Sequence, residues 1–248
     1  MPPEPNGRLV ALEGPSAVGK TTLGRAVAAG SAWVLLPEAA ALARPAIDLE
    51  FRSPSEFAQI ERHLLAAERR RSRAATRLRA QGVDVLLDTS PLGPATYSLG
   101  VARGDSSYAP VAFEVIDTVV RDLREGRLVL PQEVVYLEAT PATLRRRARA
   151  ARDTHPERLV ERHWTVAAIE RAFWSTLAAL DPKSVRFVST VGPLTASAGR
   201  MTAALREPPT GLRLDAVVRE LSDGRAGRAG PRNVTLKKGA PSRRPPRR

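Results

Sequence analysis

The chain predicts an α/β fold with a central parallel sheet of about five strands and helices on both faces. Two observations carry this. Short, nearly continuous apolar runs recur along the 248 residues, and helical patterns separate them. Strands that read apolar on both faces belong to a sheet covered on both sides, and a crossover of helical length lets successive strands run parallel. A third observation fixes the beginning. The run "LVAL" (9 to 12) leads into "EGPSAVGKTT" (13 to 22), a glycine-bearing turn followed by a helical pattern.

The elements follow in order. After "LVAL" come the predicted strands "WVLL" (33 to 36), "VDVLL" (83 to 87), "VVYL" (134 to 137) and "VRFV" (185 to 188). "KTTLGRAVAAG" reads as the first helix, with Gly30 as its stop. A long helix is predicted between Pro54 and Gly82, with Phe57, Ile60, Leu64, Leu65 and Leu78 on one apolar stripe and a basic opposite face. "APVAFEVIDTVVRDLREG" gives an amphipathic helix that turns Phe113, Ile116, Val120 and Leu123 inward. "PATLRRRARAARD" gives a short basic helix, a break falls near Thr154 to Pro156, and a longer helix carries Trp164, Phe173 and Trp174 at core spacing. Ligands are expected at the carboxyl ends of the strands.

Composition narrows the function classes. There is no cysteine, which excludes disulfides, thiolate metal sites and a cysteine nucleophile. His63, His155 and His163 have no metal-ligand spacing. No stretch approaches the roughly 18 apolar residues of a membrane span, so a soluble, cytoplasmic protein is expected. The net charge of +13 is unevenly spread. From Ser222 onward nine Lys or Arg face one Asp, giving +8 in a Pro-, Gly- and Arg-rich segment without large apolar residues. Residues 1–221 are therefore read as the folded domain and 222–248 as a basic, disordered tail. That tail is the one part suited to nucleic acid, through phosphate contacts.

Gly14, Gly19, Lys20 and Thr21 match the phosphate-binding loop G-x-x-x-x-G-K-[ST], between a buried strand and a helix as its chemistry requires. Backbone N–H groups of Gly14, Pro15 to Val18, Gly19 and the first helical turn converge on an anion at the helix N-terminus, proline excepted, since it has none. The expected nucleotide-binding set is Gly14, Pro15, Ser16, Ala17, Val18, Gly19, Lys20, Thr21 and Thr22. Lys20 would neutralise the outer phosphates of ATP, and Thr21 would ligate Mg²⁺. Asp88, ending the third strand in "LLDTSP", is the second candidate Mg²⁺ ligand. Glu38, in "LLPEAA" after the second strand, is a candidate proton acceptor.

Three segments resemble the thymidylate kinase and deoxynucleoside kinase group of P-loop kinases: "ALEGPSAVGKTT", "LLAAERRRSRAATRLRAQGVDVLLDTS" and "VVYLEATPATLRRRARAARD". The resemblance spans about residues 8 to 190 and implies a P-loop three-layer sandwich that transfers the γ-phosphoryl of ATP to a nucleoside or nucleoside monophosphate. It implies Glu38 as general base, Arg69 as the helix arginine contacting the acceptor, and Tyr97, nine residues after Asp88, as a pocket residue. It also implies a basic lid near 141–157 whose arginines stabilise the transferred group, and pairing into a homodimer through helices. A helical face groups Arg145, Arg149 and Arg152. The resemblance does not choose among Arg145, Arg146, Arg147, Arg149 and Arg152; Arg149 and Arg152 are carried forward as catalytic candidates with Lys20, Glu38 and Asp88.

Two departures fall on the acceptor side. The family's Asp-Arg pair is Asp88-Thr89 here, and "PEAAALARP" replaces its Arg-Glu-Pro-Gly-Gly stretch. An acceptor less negative than a monophosphate is thus expected: a nucleoside, or a hydroxyl-bearing specialised metabolite as an alternative. A nucleotide-gated protein engaging nucleic acid through its tail is the alternative of another class.

Overall fold

The computed structural model describes residues 7–150, 157–208 and 210–226. Five strands form one parallel sheet in the order β2-β3-β1-β4-β5: β1 Leu9–Glu13, β2 Val34–Leu36, β3 Val85–Asp88, β4 Glu133–Glu138 and β5 Val185–Ser189. Each predicted run became a strand. "WVLL" shortened to three residues because β2 is the edge strand, with Trp33 outside it and Val34 exposed.

Alternation along the strands sorts the core into two layers. Leu9, Ala11, Val85, Leu87, Val134 and Tyr136 face one layer. It is built with α3 (Pro54–Ala80), α4 (Gly93–Gly104), α5 (Ala109–Arg124), α7 (Glu157–Leu180) and α9 (Leu214–Arg225). Val10, Leu12, Leu86, Val135 and Leu137 face the other, against α1 (Lys20–Ala29), α6 (Pro141–Ala150) and α8 (Leu194–Arg206). A single turn, α2 (Ala39–Leu42), follows β2. Trp174 is fully buried and Phe173 nearly so, as their spacing predicts. No helix among the described residues is long and apolar enough to cross a membrane.

Helix α3 starts where its sequence says it should. The Ser53 hydroxyl caps the Glu56 amide at 3.2 Å, the Glu56 carboxylate accepts from the Arg52 amide at 2.7 Å, and Pro54 occupies the first turn. Gly82 follows its C-terminus at φ 76°, a left-handed conformation that favours glycine.

Besides the single turn α2, three α-helices are not marked by the sequence pattern: α4, α8 and α9. Helix α4 opens on Gly93-Pro94 and contains Gly100 and Gly104, weak helix formers whose place is set by packing. A Cβ on Gly100 would lie 2.4 Å from Val166 Cβ, so glycine there lets α4 and α7 approach. Helices α8 and α9 each bury few large side chains, Met201 and Leu205 in one, Val217 and Leu221 in the other. Because α9 extends to Arg225, whose guanidinium pairs with Asp117, the folded domain passes the expected boundary at residue 221. The basic segment from 227 onward lies outside the described residues.

Gly100→Ala is expected to lower the unfolding free energy by about 1–3 kcal/mol, the usual cost of overpacking a close contact. Urea denaturation checks this; an unchanged midpoint would mean that α4 and α7 slide apart freely.

Candidate active site

The carboxyl ends of β1 and β3 lie side by side, Leu12 beside Asp88, and Glu13 lies beside Tyr136 of β4. The loop leaves β1 so closely over β4 that a Cβ on Gly14, at φ 130°, would sit 2.4 Å from the Leu137 carbonyl oxygen. Only glycine fits there. Ala17 and Gly19 are also left-handed, at φ 63° and 102°, which curls the loop in front of α1. Lys20 Nζ donates to the Gly14 and Pro15 carbonyl oxygens at 2.6 and 3.3 Å, holding its charge over the loop. Thr21 Oγ1 donates to Asp88 Oδ2 at 2.6 Å. The other oxygen, Asp88 Oδ1, is buried without a hydrogen-bond partner among the described residues. A hydroxyl and a carboxylate oxygen with spare capacity, beside a phosphate-binding loop, suit a hard divalent cation such as Mg²⁺.

Arg71 organises the opposite wall. It is 1% exposed and makes a two-pronged pair with Glu68, Nε to Oε2 at 3.0 Å and Nη2 to Oε1 at 2.8 Å. Its remaining donors reach the carbonyl oxygens of Pro37 at 3.2 Å, Asp88 at 2.7 Å and Thr89 at 2.9 Å. One guanidinium therefore ties the ends of β2 and β3 to α3. Thr89, a β-branched residue at φ 77°, is held in a conformation such residues disfavour. The next amide, Ser90 N, donates to Glu13 Oε1 at 2.9 Å and closes the link to β1.

Between these walls lies a cleft of about 620 Å³. The loop and Arg147 line one end; Phe51, Ile60, Glu61, Leu64 and Tyr97 line the other, with Glu38 and Glu170 also on its wall. Burial pushes the Glu13 carboxyl up to about 8, helped by nearby Glu170 and opposed by Lys20, the Ser90 amide and Arg71. Burial likewise pushes Glu170 up to about 7 against the charge of Lys20. Glu61, 1% exposed, rises to about 8 through burial. The Tyr97 hydroxyl is raised chiefly by burial, which keeps it neutral.

The structure brings most of the expected residues together. Gly14, Ser16 to Thr22, Glu38 and Tyr97 line the cleft, Pro15 lies in the same loop, and Asp88 sits behind Thr21. One expectation is corrected. Arg69 does not reach the cleft: its Nε donates to Asp122 Oδ2 of α5 at 2.5 Å, and Arg71, two residues on, occupies the site side of α3. In the lid region Arg149 is exposed, and Arg152 lies outside the described residues. The arginine at the loop is Arg147, which donates to the Val18 carbonyl at 2.6 Å and to Thr190 Oγ1 and O at 3.0 and 2.7 Å. Glu13, Glu61, Arg71 and Glu170 were not anticipated. The helical phase of α3 is a signal for two of them, since Glu61 and Arg71 fall on the buried stripe with Phe57, Leu65 and Glu68.

No family model matches the chain, and no curated protein is similar to it. Solved structures are. Deoxyadenosine kinase from M. mycoides with bound dATP superposes with a TM-score of 0.62 at 14% identity, covering 80% of this chain and 98% of that one. The same enzyme with the products dCMP and a flexible dCDP gives 0.59 at 14%, covering 79% and 98%. The fold is that of the P-loop kinases. At this identity the likeness concerns architecture, and it agrees with the resemblance carried by the loop, β3 and lid segments.

Two outcomes test this wiring. Arg71→Ala leaves Glu68 buried without its cation and is expected to cost about 3–5 kcal/mol of stability, measured by chemical denaturation. Glu61→Gln tests the buried acid through pH. Below the unfolded-chain value of 4.5 the acid is protonated in both states. Between 4.5 and about 8 the folded protein keeps a proton that the unfolded chain releases, so this group makes stability fall as pH rises. The glutamine variant is expected to fall less steeply across that window in thermal unfolding; equal slopes would mean that Glu61 ionises freely in the fold.

Proposed function

We propose that the chain is an ATP-dependent phosphotransferase whose acceptor is a hydroxyl group on a nucleoside or a comparable small molecule. The observation that carries this is the convergence, in one cleft, of the phosphate loop, the Thr21–Asp88 pair and the Glu38 carboxylate. The loop supplies the donor end, and a walled slot of aromatic and aliphatic side chains supplies room for an acceptor beside it. The architectural likeness to deoxyadenosine kinase supports the same reading.

The two strand-end carboxylates, Asp88 and Glu38, separate by position. Asp88 accepts the Thr21 hydroxyl and belongs to the donor side. Glu38 is half-buried in the cleft wall at the start of α2. Glu38 is therefore assigned as the base. The acceptor oxygen attacks the γ-phosphorus, the bond from that phosphorus to the β–γ bridging oxygen breaks, ADP departs, and the hydroxyl proton passes to Glu38. Thr21 and Asp88 would hold Mg²⁺, which neutralises and orients the donor phosphates. Lys20 sits where charge builds on the outer phosphates, and Arg147 extends the cationic rim from the lid side.

ADP release from Mg-ATP across a panel of nucleosides, nucleoside monophosphates and unrelated alcohols tests the proposal. One acceptor class is expected to stimulate turnover. Lys20→Ala is expected to lose about 10²–10³-fold in kcat. Glu38→Gln is expected to lose about 10²–10⁴-fold while retaining nucleotide affinity. Release that no acceptor raises above the Lys20→Ala blank would remove the kinase reading.

A further inference from the structure

The cleft is asymmetric in charge. Its described lining includes five carboxylates, Glu13, Glu38, Glu61, Glu68 and Glu170, against two cations, Lys20 and Arg147. Both cations lie at the donor end, Lys20 facing Glu13 and Glu170, and Arg147 bonded to Val18 and Thr190. At the acceptor end Glu68 is neutralised by Arg71. Arg162 borders this end too, but its guanidinium lies 3.9 Å from the Phe51 ring centroid and bonds to the Phe51 carbonyl and to Tyr97.

Glu61 stands apart from these pairings. Its carboxyl oxygen Oε2 is buried and has no hydrogen-bond partner among the described residues, yet the side chain lines the cleft. Phe51, Ile60, Leu64 and Tyr97 surround this end with apolar surface. A buried carboxyl with an unmet oxygen is costly unless something else meets it.

We propose that Glu61 is the recognition residue for an acceptor that carries a protonated amine on an apolar, ring-sized body. The ammonium meets Glu61 Oε2, and the body fills the slot between Phe51, Ile60, Leu64 and Tyr97. Exclusion of water strengthens that pair, and an uncharged isostere leaves Oε2 unmet. A phosphorylated acceptor is disfavoured here, since Glu38 and Glu61 offer carboxyl oxygens on this wall and the Arg71 guanidinium is taken up by Glu68 and three carbonyls. The missing arginine after Asp88 points the same way: Thr89 offers no charge at that position, and its carbonyl is taken by Arg71. The reacting hydroxyl comes from the kinase reading, on which this inference rests for its chemistry; the amine contact is a binding property that can be measured without turnover.

The test uses the full chain with ADP and Mg²⁺ present, and two probes of matched shape. Phenylalaninol carries a protonated amine, and 2-methyl-3-phenylpropan-1-ol replaces that amine with a methyl group. Calorimetry is expected to show phenylalaninol binding about tenfold more tightly or better, from one charge-assisted contact. In Glu61→Gln, an isosteric change, the preference is expected to vanish while ADP affinity and the folded melting transition persist. Equal affinity of the two probes in the unmutated protein, no binding of either, or a preference that survives Glu61→Gln would each overturn the proposal. ADP release from Mg-ATP separates this from the kinase reading. Neutral nucleosides that stimulate release with no preference for amines would retain the kinase and remove the amine subsite. Glu61-dependent amine binding with no acceptor-stimulated release would do the reverse.

Discussion

The buried Glu68–Arg71 pair is the constraint on which the acceptor wall depends. A guanidinium has five donors in a fixed plane, and Arg71 directs them at one carboxylate and three strand-end carbonyls, those of Pro37, Asp88 and Thr89. Those carbonyls precede or belong to the residues that face the cleft: Pro37 comes just before Glu38, and Asp88 bonds Thr21. A lysine would supply a point charge without the fork, and an apolar residue would leave three carbonyls and a carboxylate unmet. The left-handed backbone at Thr89 persists because its carbonyl is held by Arg71 and the next amide is held by Glu13.

Three acids with no ion pair among the described residues line the cleft, whereas Glu133 and Asp122, buried elsewhere, are each paired with arginines. Glu13, Glu61 and Glu170 are each raised well above the ordinary carboxylate range, chiefly by burial. A protein selected for stability alone gains by replacing such groups with apolar ones. The opposite sheet face is apolar over Val10, Leu12, Leu86, Val135 and Leu137, and Glu133, a carboxylate buried on it, is paired with Arg8 and Arg186. The apolar layers on both sheet faces supply the stability that makes the three acids at the cleft tolerable.

The sequence discloses the donor half far better than the acceptor half, for a physical reason. Phosphates are held by backbone N–H groups, so the requirement falls on glycine positions and loop length, which leave a fixed spacing in Gly14, Gly19, Lys20 and Thr21. The strands were legible because burial on both faces leaves unbroken apolar runs. The opposite wall of the cleft depends instead on which side chains of a 27-residue helix face inward. In "ERRRSR" the identity of the inward arginine is a matter of phase, and family spacing selected Arg69 while the stripe through Phe57, Glu61, Leu65 and Glu68 selects Arg71. Helix α6 poses the same difficulty: the sequence spacing puts Arg145, Arg149 and Arg152 on one helical face, and of the described candidate arginines it is Arg147, beside half-buried Ala148 and after buried Leu144, that meets the loop. Helices α4, α8 and α9 escaped notice because glycines, small residues and few large apolar anchors weaken their periodicity.

The two halves also differ in what evolution can change without loss of fold. The donor end is built from main chain stretched over β4, where a Cβ at Gly14 has no room, so its variation is restricted. The acceptor end is lined by side chains on α2, α3 and α4, and several of these, such as Ile60 and Leu64, are only partly buried. Their replacement alters cleft shape and charge at small cost to the core. The loop end is fixed by main-chain geometry, and the shape and charge of the other end are set by side chains on the helices that face it.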